Sequence, residues 1–290
     1  MYLNKLNNSI FYKLCVQVSR SGTTGGTGFF YCEQDEDQSN SAEHCAIKKL
    51  WLVTNRHNIY SLPAYEGSLP KEPYMEELID FVVVYFVRNT DNTPQILYLP
   101  RKKLVKKGRI HNDENVDIAM IDLTDIAKKN MNDGNNFLCY SKYNKYYINY
   151  IPFNRNQLKS DRANYPNVGG DVTIIGFPQV SSGRNNFPNV EHAKLISAWH
   201  ENINGYRCFE VDKPLYPGFS GSPVILENEP LTNLTSIRGT EVTLLGIYSG
   251  VRSDSQNKAG VVFYGSFLED IVENGIPCFE CRMRNTPPTC

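Results

Sequence analysis

Residues 50–59 read Leu50-Trp51-Leu52-Val53-Thr54-Asn55-Arg56-His57-Asn58-Ile59. A short run of aliphatic, aromatic and β-branched side chains stops abruptly in polar residues. That pattern is a strand, too short for a core helix. A histidine at the end of a buried strand has its imidazole fixed on a rigid element. Histidine is also the usual general base, because its ordinary pKa lies close to neutrality. Taken alone, His57 reads first as a capping or surface residue at a strand end.

Working outward, the same punctuation repeats along the chain. Twelve strands are expected: Ile10–Val18, Thr27–Cys32, Leu50–Thr54, Phe81–Val87, Gln95–Leu99, Asp117–Asp122, Asp171–Ile175, Ala193–Trp199, Tyr206–Val211, Ser222–Leu226, Val242–Ser249 and Gly260–Tyr264. Gly, Asn, Asp and Pro separate them at the spacing of sandwiches and barrels. Helical periodicity appears only in Leu123–Asn130 and in Ser266–Asn274, which Gly275 terminates. Strands do not alternate with long helices, so a parallel sheet is disfavoured. The stretch 141–170 is rich in Asn, Tyr, Lys and Pro and reads as a connection. The chain therefore divides into 1–140, a linker 141–170, and 171–290 with the helix and a tail. Residues 33–43 and 179–189 read as solvated loops.

Two further segments carry chemistry. In Pro217-Gly218-Phe219-Ser220-Gly221-Ser222-Pro223, glycines flank a serine and a strand follows. A hydroxyl needs a neighbouring base and donors aimed at the developing oxyanion. Gly218 permits a turn that aims the N–H groups of Gly218 and Ser220 into one pocket. An ordinary β-turn with a surface serine has the same composition. In Glu114-Asn115-Val116-Asp117-Ile118-Ala119-Met120-Ile121-Asp122-Leu123, alternation puts Ile118, Met120 and Asp122 on one face and Asp117, Ala119 and Ile121 on the other. A carboxylate at the entrance of an apolar strand needs a partner when partly buried, and the second nitrogen of an imidazole is one. Asp113, in a polar turn, and Asp122, on the opposite face, compete for that role.

Bulk properties fit this reading. The chain has 290 residues, 41% hydrophobic and 21% charged, with a formal net charge of -1, so nothing draws it to nucleic acid or acidic lipid. No apolar stretch approaches the roughly 18 residues that span a bilayer. The amino-terminal residues alternate without the continuous apolar core of a secretory signal, so a cytoplasmic protein is expected. Its eight cysteines are then expected as free thiols. Cys278-x-x-Cys281 with Cys290 lacks an evident fourth ligand and is read as a tail with exposed thiols, without metal.

The order His57, Asp117, Ser220 in an all-β chain resembles the chymotrypsin/trypsin-like serine peptidases, nearest to the bacterial HtrA-like peptidase domains without a PDZ module. The residues that carry the resemblance are Gly26-Thr27-Gly28-Phe29-Phe30, Val53-Thr54-Asn55-Arg56-His57, Val116-Asp117-Ile118-Ala119, Val172 to Pro178, Pro217 to Pro223 and Leu245 to Gly250. The resemblance implies two six-stranded antiparallel β-barrels with a short carboxy-terminal helix and a site in the cleft between them. His57 would be the base, Asp117 would orient it, Ser220 would attack, and the Gly218 and Ser220 amides would hold the oxyanion. Ser249, Gly250 and Val251 would pair with the substrate and wall its pocket, with Gly260 on the far side and Pro214 at the base. Pro214 in place of an acid implies a small or medium apolar residue before the scissile bond. The chemistry implies a peptide or protein substrate, no cofactor and, since an intracellular peptidase needs restraint, a regulatory protein partner or loop-ordering switch. Departures from the family are Phe219 before the serine, Ser222 after Gly221, and Arg56 before the histidine. An idle or latent relative that only binds is the alternative.

Overall fold

The computed structural model of the chain describes residues 14–20, 25–34, 47–61, 74–87, 94–126, 138–141, 145–148, 152–158, 166–179, 188–198, 202–203, 205–227, 242–253, 258–279 and 281–284. Seven strands build the first barrel: β1 (Val16–Arg20), β2 (Gly25–Gln34), β3 (Ile47–Thr54), β4 (Phe81–Val87), β5 (Pro94–Pro100), β6 (Gly108–Ile110) and β7 (Ala119–Asp122). Their order across the sheet is β6-β7-β3-β2-β1-β4-β5. The outermost of these seven strands, β5 and β6, are consecutive in the chain and joined by a helix, α1 (Arg101–Lys107). Leu104 of that helix is buried among residues from all around the barrel. β5 and β6 thus act as one strand interrupted by a helix, and six strand positions enclose the core.

The second barrel comprises β8 (Asp171–Gly176), β9 (Asn189–Lys194), β10 (Cys208–Val211), β11 (Ser222–Glu227), β12 (Val242–Ser253) and β13 (Lys258–Tyr264), in the order β9-β8-β11-β12-β13-β10. A bridge between Leu195 and Val211 joins its ends. Ile196 N–H donates to Glu210 at 3.0 Å and Asp212 N–H to Lys194 at 2.9 Å across that seam. Counted from one to six within each barrel, the strands of both run 1-2-3-6-5-4 around the wall. The expected trypsin-like architecture of two antiparallel six-stranded barrels is the observed fold.

The apolar run that opened the sequence has two destinations. Leu50 and Leu52 of β3 point into the first barrel with Phe30, Ala119 and Ile121. Trp51 and Val53 point the other way and join Phe29, Met120 and the second-barrel residues Ile174, Phe219 and Phe263. β2, β3 and β7 therefore bury both faces, one in their own barrel and one between the barrels. A strand in that position cannot alternate apolar with polar.

The differences from the sequence expectation have local causes. β9 spans Asn189–Lys194 rather than Ala193–Trp199, because its register on β8 (Asp171↔Lys194 to Gly176↔Asn189) uses the earlier residues; Trp199 lies outside the described residues. Asp117 precedes its strand, which begins at Ala119. The helix α1 was not anticipated, since Leu104 and Val105 stand among five basic residues and give no apolar stripe. Residues 127–130 of the expected Leu123–Asn130 helix, most of the loops at 33–43 and 179–189, and much of 141–170 fall outside the description.

The carboxy-terminal helix, α2 (Phe267–Asn274), buries Phe267, Leu268 and Ile271. The residues after it do not stay with the second barrel. Ile276–Pro277 pairs with β6, and Cys281–Arg284 pairs with Tyr74–Leu78, which in turn pairs with Tyr60–Ser61. The Tyr60 hydroxyl donates to Phe279 O at 3.2 Å and accepts from Phe279 N–H at 3.1 Å. Cys278 is consequently buried, contrary to the exposed tail expected, and burial pushes its thiol up to about 12. Gly108 makes room for it: a Cβ there would lie 2.7 Å from the Cys278 sulfur. Cys15, Cys32, Cys208 and Cys278 are free thiols. Among the described residues no helix is long and apolar enough to cross a membrane.

Candidate active site

Antiparallel register brings the first two groups together. β3 and β7 pair with Thr54 opposite Ala119, so the residues just past β3 meet those just before β7. A single turn of 3₁₀ helix, Arg56–Asn58, carries His57. Asn55 Nδ2 and Arg56 N–H donate to the Asp117 carbonyl at 2.6 and 3.3 Å. His57 N–H donates to Asp117 Oδ1 at 3.0 Å, and His57 Nδ1 lies 2.6 Å from Asp117 Oδ2. An ionised carboxylate only accepts, so Nδ1 carries the proton of this bond and the Nε2 lone pair faces away from the acid. His57 keeps 19% of its side-chain surface and Asp117 14%, leaving the imidazole reachable from the cleft.

A third residue completes the cage around the carboxylate. Ser249 sits at a β-bulge, where the register of β12 on β13 shifts between Tyr248 and Gly250. A bulge re-aims the side chain it carries. Ser249 Oγ donates to Asp117 Oδ2 at 2.6 Å. Burial raises the Asp117 pKa, but the neighbouring His57 and the hydrogen bonds from His57 and Ser249 outweigh it. The net effect holds the group below the usual carboxylate range. Asp113 and Asp122 are occupied elsewhere, accepting from Asn115 N–H and Thr124 N–H respectively, both at 2.9 Å.

Ser220 is supplied by the turn between β10 and β11. Its Oγ donates to the Ser249 carbonyl at 2.9 Å, so one residue of β12 holds Asp117 with its side chain and Ser220 with its backbone. Two glycines shape the turn, with φ of +104° at Gly218 and +92° at Gly221. Both are enforced sterically: a Cβ on Gly218 would stand 2.2 Å from Phe177 O, and one on Gly221 1.9 Å from Thr27 O. The Pro217 carbonyl accepts from Gln179 N–H at 2.9 Å and the Phe219 carbonyl from Ser222 N–H at 2.9 Å. Peptide planarity then fixes the direction of the amides on the far side of those units, Gly218 N–H and Ser220 N–H. Neither amide donates to another described residue.

The turn is tied to the first barrel through Thr27. Thr27 N–H donates to Ser220 O at 2.7 Å and Thr27 Oγ1 to Gly218 O at 2.8 Å. The same Oγ1 accepts from Phe177 N–H at 2.9 Å, and Thr54 Oγ1 donates to Thr27 O at 2.7 Å. Asn58, one residue after His57, donates to Ser220 O at 3.0 Å and to Thr54 Oγ1 at 2.9 Å. Thr27, Thr54 and the side chain of Ser249 were not singled out in the sequence as site residues. The visible signals were a threonine between glycines in Gly26-Thr27-Gly28 and a serine inside an apolar strand.

The three departures from the family pattern are packing solutions. Phe219 is buried between the barrels. Ser222 Oγ is buried with no hydrogen-bond partner and lies 2.1 Å from the place of a Cβ on Gly176, so a bare glycine opposite accommodates it. Arg56 is 1% exposed, with its guanidinium 5.4 Å from the Tyr60 ring centroid. Of the expected pocket residues, Gly250 and Val251 pair with Val261 and Gly260, while Pro214 is exposed on the loop.

No family model matches the sequence and no curated protein matches it. Among solved structures, the chain is similar to Rv3671c protease from M. tuberculosis H37Rv in an inactive form, with 13% identity over 92% of this chain and 90% of that one at a TM-score of 0.44. It is similar to the HtrA-type protease AlgW with a tripeptide, with 12% identity over 94% and 62% at a TM-score of 0.45. It is also similar to the MamO protease domain from Magnetospirillum magneticum, with 11% identity over 90% and 96% at a TM-score of 0.47.

Proposed function

We propose that this chain is a serine endopeptidase acting through an acyl-enzyme, with His57, Asp117 and Ser220 as its triad. One observation carries the reading: the His57 imidazole bonds Asp117, the Ser249 hydroxyl bonds the same carboxylate, and the Ser249 carbonyl holds the Ser220 hydroxyl, so one residue ties the three groups together. These contacts cross from one barrel to the other. His57 Nε2 takes the Ser220 proton as Oγ attacks the scissile carbonyl. Asp117 holds the tautomer and stabilises the imidazolium, and the Gly218 and Ser220 amides receive the oxyanion. The imidazolium then protonates the leaving amine. Water, deprotonated by the same imidazole, releases the acyl group. The substrate backbone lies along Ser249, Gly250 and Val251, with Gly260 behind them. The substrate is a peptide or protein, and the steps need no cofactor.

A latent or idle domain is the second reading, favoured by the Ser220 hydroxyl resting on the Ser249 carbonyl. Catalytic hydrogen bonds are often unformed before substrate arrives, and chemistry separates the two. An alkyl fluorophosphonate should add to the wild type and leave Ser220→Ala unmodified by mass spectrometry. A wild type that never reacts supports the latent domain; adduct in the alanine variant moves the nucleophile elsewhere.

Asp117→Asn should slow acylation by about 10⁴-fold, since the amide presents the wrong partner to Nδ1. The acid also links to stability. Its native pKa is lowered, so its contribution is fully present above the unfolded value near about pH 4 and is lost as pH falls through the native value. The wild type should therefore exceed Asp117→Asn in urea stability at neutral pH, with the gap closing progressively as pH falls below the ordinary carboxylate range. A gap that widens on acidification contradicts the assignment.

Thr27→Val keeps the amide bond to Ser220 but deletes both hydroxyl bonds. The variant should acylate about 10²-fold more slowly, the scale of losing one oxyanion donor, while Thr27→Ser restores the rate. Equal rates for the valine and serine variants would show that the hydroxyl does not position the turn.

A further inference from the structure

We infer that Tyr248 closes the pocket for the residue on the acyl side of the scissile bond (P1) and restricts it to Gly, Ala or Ser; this rests on the peptidase reading above. The attacked carbonyl lies at Ser220 Oγ with its oxygen toward the Gly218 and Ser220 amides. The adjoining side chain must then enter the space between the segment leading to Ser220, residues 213–217, and the strand holding Ser249. That space is occupied. Tyr248 immediately precedes Ser249 and is 1% exposed. Its phenol oxygen accepts from Leu215 N–H at 2.8 Å, so the ring spans from β12 to the segment before Ser220. Across the ring stands Gly260: a Cβ there would be 2.7 Å from Tyr248 Cε2, 2.7 Å from Val211 Cγ2 and 2.8 Å from Lys213 O. The phenol therefore packs directly on the Gly260 backbone, with no depth between them for a long substrate side chain.

The ring is held in place. Displacing it would leave the buried Leu215 N–H without an acceptor and carry an aromatic side chain out of the core, both unfavourable. The nearby acids are also engaged: Asp212 Oδ1 accepts from Lys194 N–H at 2.8 Å, and Glu210 Oε1 pairs with Arg252 at 2.8 Å. A basic P1 side chain would find neither depth nor a free carboxylate here. Truncating Tyr248 leaves intact the backbone bond from Gly221 N–H to its carbonyl at 2.8 Å, so the nucleophile turn keeps its support.

The test uses fluorogenic peptide amides identical except at P1, with fluorophosphonate labelling of Ser220 measured in parallel. Wild type should cleave after Ala or Ser at least about 10²-fold better than after Leu or Phe, in keeping with the selectivity a hydrophobic pocket gives. Tyr248→Ala and the strand-compatible Tyr248→Val should shift that ratio toward Leu and Phe by at least about tenfold. A wild type that is labelled and cleaves after Phe as well as after Ala overturns the proposal and leaves the peptidase reading standing. So does a labelled, folded Tyr248 variant with an unchanged ratio. Absence of Ser220 labelling in the wild type overturns both. The wild-type ratio decides even where a variant fails to fold.

Discussion

The grip of Thr27 on the Ser220 turn is the interaction on which the candidate site depends. One fully buried residue of the first barrel bonds the carbonyls of Gly218 and Ser220 and receives Phe177 N–H from the second. Four hydrogen bonds centred on a single side chain and its peptide groups, counting that from Thr54, leave the turn no freedom to rotate. The contact is so close that Gly221 cannot carry a side chain, since its Cβ would fall 1.9 Å from Thr27 O. Ser220 belongs to the second barrel in sequence, but its position is set by the first. This is the physical sense in which two barrels make one site: neither alone holds both the imidazole and the hydroxyl.

The pairing of Asp117 with His57 depends on the same principle in a different form. Register between β3 and β7 delivers Asp117 to His57 without any long loop. The donors on the carboxylate, one backbone amide and two side chains, are carried by the 3₁₀ turn after β3 and the bulge of β12. Burial alone would raise the Asp117 pKa; the imidazole and the surrounding donors outweigh it and hold the group ionised below the usual carboxylate range. An ionised, immobile carboxylate fixes which nitrogen of His57 carries its proton, and so which one can accept another.

Much of this was legible in the sequence because the fold repeats simple rules. Short β-branched runs broken by turn residues gave the all-β architecture, and the apolar run at Leu50–Thr54 gave the strand that serves both cores. His57, Asp117 and Ser220 each sit at the edge of such a run, which is why they stood out. What escaped has physical reasons. Thr27 reaches Gly218 and the Ser249 side chain reaches Asp117 across more than a hundred positions, which no local pattern encodes. The helix at Arg101–Lys107 buries one leucine and so lacks an apolar stripe. The return of the tail to the first barrel depends on Cys278 fitting against Gly108, and a cysteine near a chain end reads as exposed until its pocket is seen.

The central claim is that the Gly218 and Ser220 amides, oriented by the pinned carbonyls of Pro217 and Phe219 and by Thr27, await an oxyanion beside a nucleophilic serine. A crystal structure of the protein with a peptidyl boronic acid tests it most directly. The account predicts boron bonded to Ser220 Oγ, one boronate oxygen at about 2.7–3.1 Å from both amides, and a second hydrogen-bonded to His57 Nε2. A tetrahedral adduct whose oxygens avoid both amides, or boron bound to a different residue, would contradict it.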